Sequence, residues 1–133
     1  MTVGLVIVSH SAKVAEGVVD LAGQMAEEVR VLAAGGNDDG EIGTSATRIA
    51  AAIEAADSGD GALVLFDLGS ALLSARMAIE ELVGDEYRER VRISKASLVE
   101  GAVIGAIEAS IGSSLEEVDQ AATRAATEVK AKA

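Results

Sequence analysis

Three observations predict an α/β protein built on a parallel sheet. Short runs rich in Val, Ile and Leu recur along the chain, each is followed by a segment of helical period, and the breaks between them are made of Gly, Ser, Asn and Asp. Near-continuous apolar runs are the pattern of strands buried on both faces. Strands joined by helices make right-handed crossovers, so the expected sheet is parallel and open, with helices on both faces. At 133 residues the chain fits one domain, 1–133, and it shows no repeat, linker or low-complexity tract.

The elements follow in order. "TVGLVIV" (Thr2 to Val8) is the first strand. From Ser11 the period changes: Val14, Val18, Ala22 and Met25 share one helical face, while Lys13, Glu16, Asp20 and Gln24 spread over the others. "VRVLAA" (Val29 to Ala34) is a second strand, and "GGNDDGEIG" (Gly35 to Gly43) is the most loop-like stretch. Thr44 or Ser45 then offers a cap for the helical "ATRIAAAIEAA". "GALVLFDL" (Gly61 to Leu68) is a third strand, and a break at Gly69 and Ser70 opens the helix "ALLSARMAIEELV" (Ala71 to Val83). "VRISKA" (Val91 to Ala96) is a fourth, weaker strand. Two helices close the chain, each led by a capping box, Ser97 with Glu100 and Ser114 with Glu117. The Ala-rich "AATRAATEVKAKA" reads as the fraying end of the last helix.

Composition removes several classes of function. Cysteine is absent, which excludes disulfide scaffolds, thiolate zinc sites and cysteine nucleophiles. With 22 acidic against 11 basic residues the formal charge is -11, which repels a phosphate backbone. Phe66 and Tyr87 are the only aromatic side chains besides the histidine, too few for a base-stacking platform, so no nucleic-acid partner is expected. No stretch approaches the roughly 18 to 20 apolar residues of a membrane span. The start lacks a basic region and runs into "SHS", so neither secretion nor a membrane is expected and the location is read as cytoplasmic. One histidine and scattered carboxylates have no metal-ligand spacing, and the Gly-rich segment lacks the Gly-Lys-Ser/Thr ending of a P-loop.

Chemistry is expected where open parallel sheets bind ligands, at the carboxyl ends of their strands. His10, the only histidine, and Asp67 both fall at such ends. In a sheet of order 2-1-3-4 their strands are neighbours, and a carboxylate on one ring nitrogen would leave the other free as a nucleophile. Ser70 begins a helix, and helix N-termini accept phosphate. Blander readings stand beside these: a lone histidine in a βα turn is commonly just solvated, and an Asp after a strand often only caps the next helix. Lys13 reads as a solvated first-turn lysine. A receiver domain is excluded, because the first strand ends in His rather than in a magnesium-binding acidic cluster.

"LVIVSHSAKVAEGV", "AAGG…IGTSA", "LVLFDLGSALLSA" and "SLVEG", in this order, resemble the phosphotransfer subunits of phosphoenolpyruvate-dependent dihydroxyacetone kinases, relatives of the mannose-type IIA domains of the sugar phosphotransferase system. Leu68 and Gly69-Ser70 stand where a sugar-transport IIA domain would have an aromatic and two glycines, and Ser97 stands in place of the family's usual proline. The resemblance implies an open four-stranded parallel sheet of order 2-1-3-4 and a phosphohistidine relay. His10 would take a phosphoryl group from the histidine phosphocarrier protein and pass it to ADP in a nucleotide-binding kinase subunit. Asp67 would orient the imidazole. Ser9, Ser11, Thr44, Gly69 and Ser70 would cradle the phosphoryl group or face a partner. The chain would need no cofactor of its own, since ADP and Mg belong to the kinase partner. A homodimer is implied too, in keeping with helices from Ala71 to Val83 and Leu98 to Ile111 that are apolar over more than one face. Two rival readings remain: a sugar-transport IIA domain with a membrane-permease partner, which "DLGSALLSA" opposes, and a non-enzymatic regulator reporting phosphotransferase status.

Overall fold

The computed structural model describes residues 1–131. Four parallel strands, β1 (Gly4–Ser9), β2 (Val31–Gly35), β3 (Ala62–Phe66) and β4 (Val91–Ile93), form one sheet of order β2-β1-β3-β4. The helices are α1 (Ala12–Met25), α2 (Ala46–Ala56), α3 (Gly69–Met77), α4 (Asp85–Arg88), α5 (Leu98–Ser110) and α6 (Leu115–Ala131). The last two residues of the expected fraying tail lie outside the described residues.

Side-chain alternation splits the core in two. Leu5, Ile7, Leu63 and Leu65 pack against α1, α5 and α6 on one face, and Val6, Val8 and Val64 pack against α2 and α3 on the other. Helices therefore cover both faces, as expected of a parallel sheet. Small residues let them lie close: a Cβ on Gly101 of "SLVEG" would stand 2.7 Å from the Ala96 Cβ and 3.0 Å from Leu65.

Several details differ from the sequence reading. β1 begins at Gly4, whose N–H donates to Gly61, and runs through Ser9, whose carbonyl accepts from Gly36. β4 stops at Ile93, after which the buried Ser94 accepts from the Ala96 N–H. The buried face of α1 is Ala15, Val18 and Ala22; Val14 and Met25 are exposed, because methyl-sized Ala side chains let the helix settle on the sheet along their own line. The helix expected from Ala71 to Val83 starts two residues earlier, at Gly69, and widens at Ala78–Leu82 into a π turn closed by Val83 N–H to Ala78. Ser45, not Thr44, caps α2. The box of Ser114 and Glu117 forms reciprocally, at 2.8 and 3.2 Å. Ser97 is the N-cap of α5 but makes no side-chain cap bond; its φ of -63° is the value a proline ring imposes, so the position keeps a proline's backbone without its ring.

Candidate phosphotransfer site

The site sits at the carboxyl ends of the two central strands. Val8 of β1 pairs with Phe66 of β3, so the residues just beyond them meet. Nδ1 of His10 lies 2.9 Å from Oδ1 of Asp67. The other carboxylate oxygen, Oδ2, accepts from the His10 backbone N–H at 3.0 Å and from the Ser9 hydroxyl at 2.8 Å, and Oδ1 also accepts from the Leu68 N–H at 2.7 Å. Burial pushes the Asp67 carboxyl up, but the bonds donated by the His10 backbone, the His10 ring, Ser9 and the Leu68 backbone outweigh it and hold it below its ordinary value. A carboxylate at Nδ1 selects the tautomer with the proton there and leaves the Nε2 lone pair facing out. Nε2 meets the hydroxyl of Ser70 in the first turn of α3. Leu68, the N-cap of α3, supplies no side-chain cap; the Ala71 N–H donates to the Leu68 carbonyl at 3.0 Å, and the N–H groups of Gly69 and Ser70 ahead of it are the ones placed to meet an anion.

The remaining residues divide by what they touch. Ser9 is buried and its hydroxyl turns inward to Asp67, so the expectation that it faces a phosphoryl group or a partner is corrected: it belongs to the same inner face as Leu5 and Ile7. Ser11 is the N-cap of α1, accepting from Val14 N–H, and its own N–H donates to Ser9 Oγ. Thr44 bonds Ser74 across 2.7 Å, tying the β2–α2 loop to α3, while Gly43 N–H donates to the His10 carbonyl. Gly69 and Ser70 are exposed at the helix start, and Lys13 is exposed on α1. Asp67 is not a helix cap, since that position is Leu68. Ser74 was not foreseen; its spacing four residues after Ser70, on the same side of α3, was the available signal.

Residues 4–119 match the family model described as the PTS system fructose IIA component, EIIA-man. The chain belongs to the EIIA-man family. Within it, the chain resembles subunits named for dihydroxyacetone kinase. It is 42% identical over 120 residues to the phosphoryl donor subunit DhaM of a PEP-dependent dihydroxyacetone kinase from Escherichia coli, covering 87% of this chain but 25% of that protein. A DhaM subunit from Listeria innocua is 36% identical over 91% of this chain and 97% of its own length. The phosphotransferase subunit DhaM of Lactococcus lactis is 38% identical over 90% and 93%. The chain thus spans about a quarter of the first curated relatives and nearly all of the shorter ones. A crystal structure of a protein of unknown function superposes with a TM-score of 0.83 at 32% identity, covering 94% of this chain and 96% of that one. A sigma-54 interaction domain protein from Enterococcus faecalis, at TM-score 0.70 and 18% identity, shares the EIIA-man fold. No helix among the described residues is long and apolar enough to cross a membrane.

Proposed function

We propose that the chain is a phosphohistidine relay, the phosphoryl donor subunit of a dihydroxyacetone kinase system. The supporting observation is the His10 imidazole held by Asp67 at Nδ1, with Nε2 turned outward beside an uncapped helix start. In this reading Nε2 attacks the phosphorus of a phosphorylated histidine phosphocarrier protein. The new N–P bond forms as the donor's N–P bond breaks, and the positive charge on the ring is offset by the Asp67 carboxylate. The phosphoryl group, carrying about -1.5 to -2 charge by analogy with other phosphorylated side chains, meets the first N–H groups of α3. The Ser70 hydroxyl swings from Nε2 to a phosphoryl oxygen. Transfer to ADP, held with Mg in a nucleotide-binding kinase subunit, reverses these steps. A cradle of helix N–H groups and a hydroxyl suits a relay, since tight binding of the intermediate would slow its release.

The same reading makes the chain a single phosphotransfer domain in the cytoplasm. It also makes it a homodimer, with a second copy covering Leu73, Met77 and Leu82, which are all exposed. Sedimentation equilibrium checks that arm, and a monomeric mass refutes it. The main test mixes the chain with enzyme I, phosphocarrier protein, phosphoenolpyruvate and purified dihydroxyacetone kinase subunits. Formation of dihydroxyacetone phosphate that depends on the chain supports the proposal. Labelling of the chain without any gain in kinase activity points instead to a transport or regulatory role.

A further inference from the structure

We propose that Ser9 is a positioning residue for the chemistry at His10, holding the Asp67 carboxylate in the orientation that keeps the proton on Nδ1. The inference deepens the relay reading and rests on it for its kinetic arm only. Ser9 is 1% exposed, so it touches neither a phosphoryl group nor a partner. Its hydroxyl donates to Asp67 Oδ2 at 2.8 Å and accepts from the Ser11 N–H at 3.1 Å. One hydroxyl proton and one lone pair are thereby both used, and each constrains the other. Because the Ser11 N–H points at the oxygen, the hydroxyl proton is directed away from Ser11 and toward the carboxylate.

The rotation of a carboxyl group about its last torsion is broad and roughly two-fold. Asp67 is stopped from turning by donors on both oxygens: the Leu68 N–H on Oδ1, the His10 N–H and the Ser9 hydroxyl on Oδ2. Two of these are main-chain groups, one of His10 itself and one of the residue that follows Asp67. Ser9 is the side-chain donor among them, and it is anchored in β1, whose neighbours lie on both sides in the sheet. Removing it leaves Oδ2 with the His10 N–H alone and loosens the carboxylate toward tilting out of the imidazole plane. The ring can then take up the Nε2–H tautomer, whose outward nitrogen has no lone pair with which to attack phosphorus.

The test uses Ser9→Ala, Ser9→Thr and Ser9→Cys in the full chain. Since the chain has a single histidine, the ¹⁵N shifts of one imidazole report its tautomer directly. That readout needs no phosphoryl donor, so it stands whether or not the relay reading survives. Expected for Ser9→Ala is a measurable rise in the Nε2–H tautomer and a roughly tenfold fall in the rate of His10 phosphorylation, with both restored in Ser9→Thr. Ser9→Cys, which keeps the volume but offers only a weak S–H donor, should lie between and serves if Ser9→Ala does not fold. A parental tautomer in Ser9→Ala, or in Ser9→Cys where the alanine variant is unfolded, overturns the proposal, whatever happens to the melting temperature. Loss of phosphorylation in the parent chain itself would instead overturn the relay reading.

Discussion

Replacing Asp67 with Asn keeps the shape of the side chain and removes its charge, and the four hydrogen bonds at this carboxylate make the outcome calculable. An amide has one oxygen and one NH₂, whereas every partner of Asp67 presents a donor. With the NH₂ at the Oδ1 position it opposes the Leu68 N–H and drives the imidazole to accept at Nδ1, the wrong tautomer. With the NH₂ at the Oδ2 position it opposes the His10 N–H. Either orientation leaves one backbone N–H unsatisfied, costing about 1 to 3 kcal/mol of stability, which a domain of this size tolerates. For transfer, the loss is a hydrogen bond between a carboxylate and a ring that gains positive charge, worth about 1.5 to 3 kcal/mol. At about 1.4 kcal/mol per factor of ten this slows phosphorylation by about 10- to 150-fold. Rapid-quench labelling from phosphoenolpyruvate through the phosphocarrier protein measures the rate, and circular dichroism at the assay temperature verifies folding. A folded Asp67→Asn chain that accepts phosphoryl groups at the parental rate would show that His10 works without its carboxylate and refute the reasoning.

Label from phosphoenolpyruvate should be acid-labile and base-stable and vanish in His10→Gln; label that survives in the variant, or that resists acid, removes His10 from the reaction. Gly35→Ala should lose about 1 to 3 kcal/mol and slow transfer, because its Cβ would stand 2.7 Å from the Ser11 carbonyl and 2.8 Å from Ala12 and push the start of α1 away from the site; denaturant midpoints and labelling rates check both halves. At the opposite end of the sheet the buried Asp57 accepts from Gly59 and Gly61 N–H and pairs with Arg90 at 2.9 Å. Burial pushes its carboxyl up, and these bonds and the Arg90 charge outweigh it to hold it below its ordinary value of 3.8. A carboxyl lowered on folding contributes stability above its unfolded value and loses it as pH falls through the folded one. Asp57→Asn should therefore cost about 2 to 3 kcal/mol at pH 7, under the range for fully buried pairs because Arg90 is partly exposed. The gap between parent and variant should close only below about pH 4; a gap that is constant with pH in urea titrations would deny Asp57 this role.

The type and sequence of the main elements were readable because the strands are short runs rich in Val, Ile and Leu and because α1, α2 and α6 each carry a helical period behind a Ser cap. Register and ends were not. Ser9 looks like a turn residue by composition, yet ladder pairing with Gly35 extends β1 to include it. On α1, large side chains suggested Val14 and Met25 as the buried face, while close packing favoured the line of Ala15, Val18 and Ala22. The π turn after Met77 and the single turn α4 have no period long enough to register. For the site, His10 and Asp67 could each be placed at a strand end from local pattern. Their meeting depended on β1 and β3 being neighbours, a property of the sheet rather than of either segment. The inward turn of Ser9 follows from two-residue alternation with Leu5 and Ile7, and was open to the same reading that found the strand.

Alanine makes up more than half of the buried apolar side chains among the described residues. Such a side chain has no rotamers to freeze, so it adds almost nothing to the entropy lost on folding beyond the backbone's share. It also has no conformational slack: a helix seated on methyl groups cannot absorb an error by turning a side chain, and any displacement is passed on as movement of the whole helix. The chain ends that carry His10, Asp67 and Ser70 are thus set by how the main chains of β1, β3 and α3 pack, and only the last side-chain bonds, Asp67 to Nδ1 and Ser70 to Nε2, are left to place the ring. Thermal motion of side chains in the alanine-lined interior has little means of blurring where those chain ends stand.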